Sequence, residues 1–441
     1  MTDSTLDLYR HAFRTLAKTL PGAELGWLRS ARRHAFERFE ALRFPTTHAE
    51  EWKYTNVAPI EQHAWHFASP RGDNVDVSPI VDDLVLDKSA VRLVFVNGRH
   101  APKLSQLQGL PEGAFVGSLT RALREFPERM EPLIARVMPH DGFAALNTAF
   151  LSDGYVVVLP PDCRIERPMQ MLFIADEAGL ATHPFNVVLA ARGSRCSIVE
   201  QFVGIADDSY LTNAVTHIEA AAGADVEHCR VQEEARRAFH VARVDIAEER
   251  ASHVVSHSFA FGGTLSRIEI DVRFRGTDAR TDLTGLYFAG SRQHLDHHTR
   301  IDHELPRCTS REHYRGVLDG ASHGVFDGRV IVHQGAQQTD AHLENQNLLL
   351  SRDAEIDTKP QLEIYADDVK CTHGATVGRL DDNQLFYLRA RGIDEPVARA
   401  TLVWAFARDV IDRVGADSVR ARLAKLLLAR TPEAERIREL T

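Results

Sequence analysis

The sequence predicts a mainly-β protein, a stacked β-solenoid core held between helical regions at its two ends. Three observations carry that prediction. Strand-like patterns follow one another from about Tyr155 to Leu388 with no amphipathic helix among them. Glycine followed by a small residue recurs at the breaks between them, at Gly193-Ser194, Gly223-Ala224, Gly276-Thr277, Gly320-Ala321, Gly335-Ala336 and Gly374-Ala375. Helical periodicity with start and stop signals is confined to the first and last parts of the chain. An α/β sheet needs helices alternating with strands, so that class is disfavoured. A large sandwich or barrel remains the competitor. The weak, unevenly spaced repeat favours the solenoid, in which each rung buries its inner face only against its neighbours.

The elements follow in order. Leu6, Tyr9, Phe13, Leu16 and Leu20 recur at helical steps, with Ser4 as N-cap and Pro21-Gly22 as stop. A second helix carries Leu28, Ala31, Ala35, Phe39 and Leu42 and closes before Pro45. Val91 to Gly98 reads as a strand entering an Asn97-Gly98 turn. Helical pieces return at Ser118–Phe126 and Pro132–Val137. Asn186–Ala190, Ser197–Val203 and Ile268–Phe274 then show the period-2 or short apolar patterns of strands. Near the end, Asp394 caps a helix with Glu395 and Pro396 in its first turn. Val397, Ala400, Trp404, Ala407, Ile411 and Val414 form its stripe before Gly415. Another helix starts at Asp417 or Ser418 and carries Val419, Leu423, Leu426 and Leu427. The expected division is a mainly helical region with a short β segment over 1–150, a β core over 151–390 and a helical region over 391–441. Periodicity alone leaves two roles open for the last helices: capping the solenoid, or docking a partner near Trp404 and Phe406.

Composition narrows the function. The 441 residues carry 52 Lys+Arg against 62 Asp+Glu, a net charge of −10, and lack the dense basic face that nucleic-acid phosphates require. The N-terminus has acidic residues where a signal peptide carries basic ones, and runs such as Tyr155–Leu159 are too short to span a bilayer. A cytoplasmic protein without membrane contact is expected. Five widely spaced cysteines with no C-x-x-C pair argue against a disulfide framework and for a reducing compartment.

Histidine is the generous residue, 22 in all, with nine between His294 and His373. The run His294–Glu304 would, as a strand, place His294, Asp296, His298, Arg300, Asp302 and Glu304 on one face. Such a ridge suits a divalent metal in a metal-dependent β-helix or cupin-like enzyme. Yet His294 and His298 stand two strand repeats apart and Arg300 would repel a cation, so a solvated ladder of opposite charges is favoured. Cys371 and His373 point the same way on a strand, about 6–7 Å apart along the chain, and could face one iron or zinc ion or a partner surface. Lys370 beside them would lower the thiol pKa. Cys163, Cys196, Cys229 and Cys308 read as core. Gly320-Ala-Ser-His-Gly324 matches the nucleophile-elbow pattern, but no helix follows it and a solenoid turn fits better. No phosphate-loop motif occurs, so no ATP site is expected in this chain, and no dinucleotide fingerprint or H-E-x-x-H is present. Nothing in the sequence assigns a flavin.

The stretch Gln361–Ile393, with its Lys370-Cys-Thr-His-Gly-Ala-Thr376, strongly resembles the SufB/SufD family of iron–sulfur cluster assembly proteins. Glu50-Glu-Trp-Lys-Tyr-Thr55, Phe95-Val-Asn-Gly98 with Pro102-Lys-Leu-Ser105, and Gly328-Arg-Val-Ile-Val-His333 agree with it in order along the chain. The likeness is to the SufD branch. The SufB branch typically reads V-E-H-E-A-T at the first of these sites and carries a cysteine where this chain has Ala354. That sulfur-accepting thiol is absent, so the resemblance assigns this chain only part of a cluster site. It implies a right-handed parallel β-helix between helical ends, and a non-enzymatic scaffold subunit in a SufBCD-type complex. The implied partners are one SufB-like subunit and two SufC-like ABC ATPase subunits. His373 matches a histidine proposed to face the SufB-like subunit and help hold a nascent Fe–S cluster, with Cys371 beside it. The C-terminal helix, with Val397, Trp404, Phe406 and Ile411, matches the region where the ATPase docks. An exposed sheet edge would also suit a homodimer.

Overall fold

From Arg195 onward each strand pairs, in parallel, with the strand two places later in the sequence. Successive strands therefore alternate between two ten-stranded sheets, and the chain winds as a parallel β-solenoid of about eight turns. The computed structural model describes residues 3–67, 77–135, 141–205 and 208–431. Paired residues are 26 apart at Phe239–Leu265 and 32 apart at His323–Glu355, so the repeat is real but uneven. Its most regular mark is conformational. Gly193, Gly223, Ala251, Asp278, Arg307 and Gln338 all have positive φ, and each lies two residues before a strand of one sheet. Only the first two are glycines. The left-handed turn costs a non-glycine residue about 1 kcal/mol, little enough for strand pairing on both sides to impose it.

Several boundaries depart from expectation. The strand series ends at Gly378, and Leu388 lies in a helix, Asp382–Ala390, that the apolar pattern of the region masked. Gly374-Ala375 is not a turn; it sits inside the last strand, Lys370–Gly378. The first helix begins at Asp3 and so encloses Ser4. The helix Glu395–Ile411 stops short of Val414. Asp394 does hold its N-cap position, and Asn97 and Gly98 form the expected positive-φ turn. The first of the two helical pieces is the helix Leu119–Glu125, capped by Ser118, and the second is Pro127–Ala135; residues 136 and 137 of that expectation lie outside the described residues.

The apolar lumen, built from residues such as Ile198, Val226, Ile270, Leu283, Phe326 and Leu343, is the main core. Some polar groups inside it are paired: Glu200 accepts from Tyr155 Oη at 2.8 Å and from Thr216 Oγ1 at 2.6 Å, and lies 3.4 Å from His228 Nε2. The outer face of one sheet packs against the N-terminal helices through Leu211, Phe239, Val241 and Leu265. The outer face of the other is covered by the C-terminal helices, where Trp404, Ala407, Ile411 and Leu427 meet Cys229, Phe259, Leu286 and Val317. These helices therefore lie along a sheet face and do not close an end of the solenoid. The physical reason is that both apolar faces of those strands must be buried, one by the lumen and one by the helices.

Candidate functional site at the open end of the solenoid

Among the described residues the last rung has no successor. The penultimate strand, Glu355–Ile364, pairs only with His323–Val332, and the last strand, Lys370–Gly378, only with Asp340–Leu349. Nearly every residue of the last strand is exposed, in contrast to the alternating burial of the strand it pairs with, Asp340–Leu349. Two long edges are thus left with free backbone donors and acceptors, the arrangement that invites another chain. Large apolar side chains cluster in the same part of the chain: Tyr365 is 61% exposed, Val377 51%, and Phe386 73% in the following helix.

Register fixes the direction of the two site residues. Cys371 pairs with Ala341 and His373 with Leu343, and both partners belong to the lumen core. Paired residues in a parallel sheet point to the same side. Cys371 and His373 therefore face the lumen side at its open end, while Lys370 and Thr372 face outward. Beneath them runs a polar ladder. Thr358 Oγ1 donates to Asn345 Oδ1 at 2.8 Å, Asn347 Nδ2 donates to the same oxygen at 2.6 Å, and Asn345 Nδ2 donates to Tyr287 Oη at 3.0 Å. His373 is exposed and Cys371 half-buried against the core. Burial pushes the Cys371 thiol above its ordinary value, with Asp340 adding to the effect. Lys370 does not lower it, because its side chain is on the opposite face. A metal that displaced the thiol proton would find a sulfur and an imidazole there, two positions of a coordination sphere that a second chain would have to complete.

The ridge at His294–His303 is taken up by ion pairs and hydrogen bonds within the chain. Strand geometry ends at His303, so Glu304 is outside it. Asp296 is fully buried and ion-paired to Arg267 at 2.5 Å and to His298 at 2.9 Å. Thr55 Oγ1 donates to Asp296 Oδ2 at 2.5 Å and is 2.8 Å from His294 Nε2, and Trp52 stacks on the Arg267 guanidinium at 3.9 Å. A guanidinium occupies the place a cation would need. The expected solvated ladder is also corrected, since the segment Glu50–Thr55 folds over it. The four remaining cysteines are buried, and Ser322 lies in a turn that leads into a strand.

The C-terminal docking candidates divide. Trp404 and Ile411 are buried against the sheet, Val397 is buried near the start of the helix, and Phe406 is half-buried over Arg315. Trp404→Ala is expected to lower stability by about 3–5 kcal/mol through the cavity it leaves, measured by urea denaturation. A further cluster, His313, His342 and Glu344, stands on the outer face and was not foreseen. The two histidines are one rung apart in sequence, the only signal that could have joined them.

Comparison with known proteins agrees with this architecture. The model of the SufBD protein N-terminal region matches residues 3–171, and that of the SUF system FeS cluster assembly SufBD core domain matches residues 173–406. The chain belongs to the SufBD family. An iron–sulfur cluster assembly SufBD family protein of Synechocystis sp. is 30% identical over 421 residues, 93% of this chain and 92% of that protein. The iron–sulfur cluster assembly protein SufD of Escherichia coli is 31% identical over 399 residues, 89% of this chain and 90% of that one. A SufBD family protein of Mycobacterium leprae is 31% identical over 294 residues, 65% of this chain and 74% of its own length. Membership in the SufBD family supports a role in iron–sulfur cluster assembly. No helix among the described residues is long and apolar enough to cross a membrane.

Proposed function

We propose that this SufBD-family chain is a non-catalytic scaffold subunit that pairs with a SufB-like subunit through its open solenoid end and helps hold a nascent Fe–S cluster there. The observation that carries the reading is the last rung, paired on one side only, which carries His373 and Cys371 in the same part of the chain as exposed Tyr365 and Val377. Two ligands on one chain are too few for a cluster, so the rest of the site belongs to the partner. The 391–441 region is the docking place for a SufC-like ABC ATPase. Trp404 and Ile411 set the helix against the sheet, Val397 is buried near its start, and the contact is assigned to the region around half-buried Phe406. ATP-driven movement of docked ATPases would open or close a site shared between two chains. The setting is the reducing cytoplasm, where free thiols persist.

Anaerobic co-expression with a SufB-like subunit and a SufC-like ATPase tests this. Both are expected to co-purify, and a Tyr365→Lys, Val377→Lys variant is expected to release the SufB-like subunit while retaining its own melting temperature. A chain that purifies alone, or only as a homodimer, in the presence of both partners refutes the pairing.

A further inference from the structure

We propose that His313, His342 and Glu344 form a binding site for a divalent first-row transition-metal ion on the outer face of the solenoid, separate from Cys371 and His373. One ligand atom from each of the three lies within 4.8 Å of the others. Donor atoms around a common ion stand roughly 3–4 Å apart, so the side chains need close by only about 1–2 Å. The strands supply the arrangement. His313 and Glu344 are direct register partners on neighbouring strands, and His342 lies two residues before Glu344 on the same face.

Neighbouring groups already orient each ligand in the way metal sites use outer hydrogen bonds. His342 Nδ1 is 2.7 Å from the Thr372 hydroxyl; with Nδ1 donating, Nε2 keeps its lone pair for a metal. Gln346 Nε2 donates to Glu344 Oε1 at 2.7 Å, which turns Oε2 toward His313 Nδ1 at 3.3 Å. His313 is partly buried and feels the charge of Arg413 as well as the carboxylate of Glu344. The charge of Arg413 is partly met by Asp409 at 3.7 Å. On the other side of Glu344 the register partner is Gly374, where a Cβ would meet nothing within 4 Å. That gap leaves room for water ligands. Two imidazoles and one carboxylate with open positions suit Zn²⁺, Co²⁺ or Fe²⁺ over Mg²⁺ or Ca²⁺, which prefer all-oxygen sets.

The test titrates the untagged, chelator-treated full chain with Co²⁺ under anaerobic conditions and follows visible d–d absorption. One Co²⁺ per chain is expected, displaced by Zn²⁺, with affinity lowered at least about tenfold in His313→Ala, in His342→Gln and in Glu344→Gln. His373→Ala and Cys371→Ser are expected to leave this binding unchanged. Zn²⁺ is also expected to raise the melting temperature of the wild type and not that of His342→Gln, a readout that confirms the variant folds. Cobalt binding that survives the His313→Ala, His342→Gln double variant overturns the proposal, as does binding abolished by Cys371→Ser alone or no binding by the wild type.

Discussion

Replacing His373 with alanine is expected to leave folding stability within about 0.5 kcal/mol of the wild type, because its ring is exposed on an edge strand. Iron–sulfur enzyme maturation in cells that depend on this chain is expected to fall about tenfold or more, the scale on which metal sites respond to a lost ligand or orienting group. The two halves of the expectation separate a site from a scaffold. A urea titration reads the first, and the activity of a cluster-dependent reporter enzyme reads the second. The complex with its partners should still form, because one imidazole contributes little to an interface carried by strand edges and by side chains such as Tyr365. Cys371→Ser should cost less. Its thiol is pushed up by burial and is protonated at neutral pH, so it becomes a ligand only when a metal drives off the proton. Normal maturation in a stably folded His373→Ala variant would remove that residue from the site.

The fold was legible where its periodicity is local. Helical stripes such as Leu28–Leu42 and Val397–Ile411 appear in structure with most of the expected residues buried, because a 3.6-residue period needs only one neighbour surface. The solenoid was legible as strands with turns but not as a counted repeat. Its turn position accepts Ala251, Asp278, Arg307 and Gln338 as well as glycine, so the conformational repeat leaves no repeated letter. The direction of Cys371 and His373 was right as a shared face. Which face it was depended on the register with Ala341 and Leu343, about 30 residues earlier, and sequence does not state register. The same blindness hid His313, His342 and Glu344, which only the parallel pairing brings together. It also made the histidine-rich ridge look solvated, since Thr55 and Trp52 reach it across more than two hundred residues.

Asp296→Ala is expected to destabilise the protein by about 3–5 kcal/mol, the usual consequence of leaving one member of a buried ion pair unpaired. Arg267 is almost wholly buried, stacked under Trp52 and bridged by Glu269 to Arg243. It would keep its charge with half its compensation gone. Replacing Arg267 and Asp296 together, by Met and Ala, should cost less than the two single changes added, because no charge is then stranded. The pH dependence has a definite sign. The Arg267 guanidinium and the neighbouring His298 hold the Asp296 carboxyl far below the ordinary carboxylate range against its burial. An unfolded aspartate takes up its proton near pH 4, whereas the folded one stays ionised well below that. Its contribution is therefore complete above about pH 5 and drains away as the pH falls. Wild-type stability should drop between about pH 5 and pH 2, and Asp296→Asn should flatten that part of the slope while lying lower at neutral pH. Urea midpoints measured across that range decide it. An enzyme built on this ridge would behave in the opposite way, since removing a catalytic carboxylate commonly leaves stability intact or raises it. A large stability loss with no loss of bound metal assigns Asp296 to holding the N-terminal segment on the solenoid.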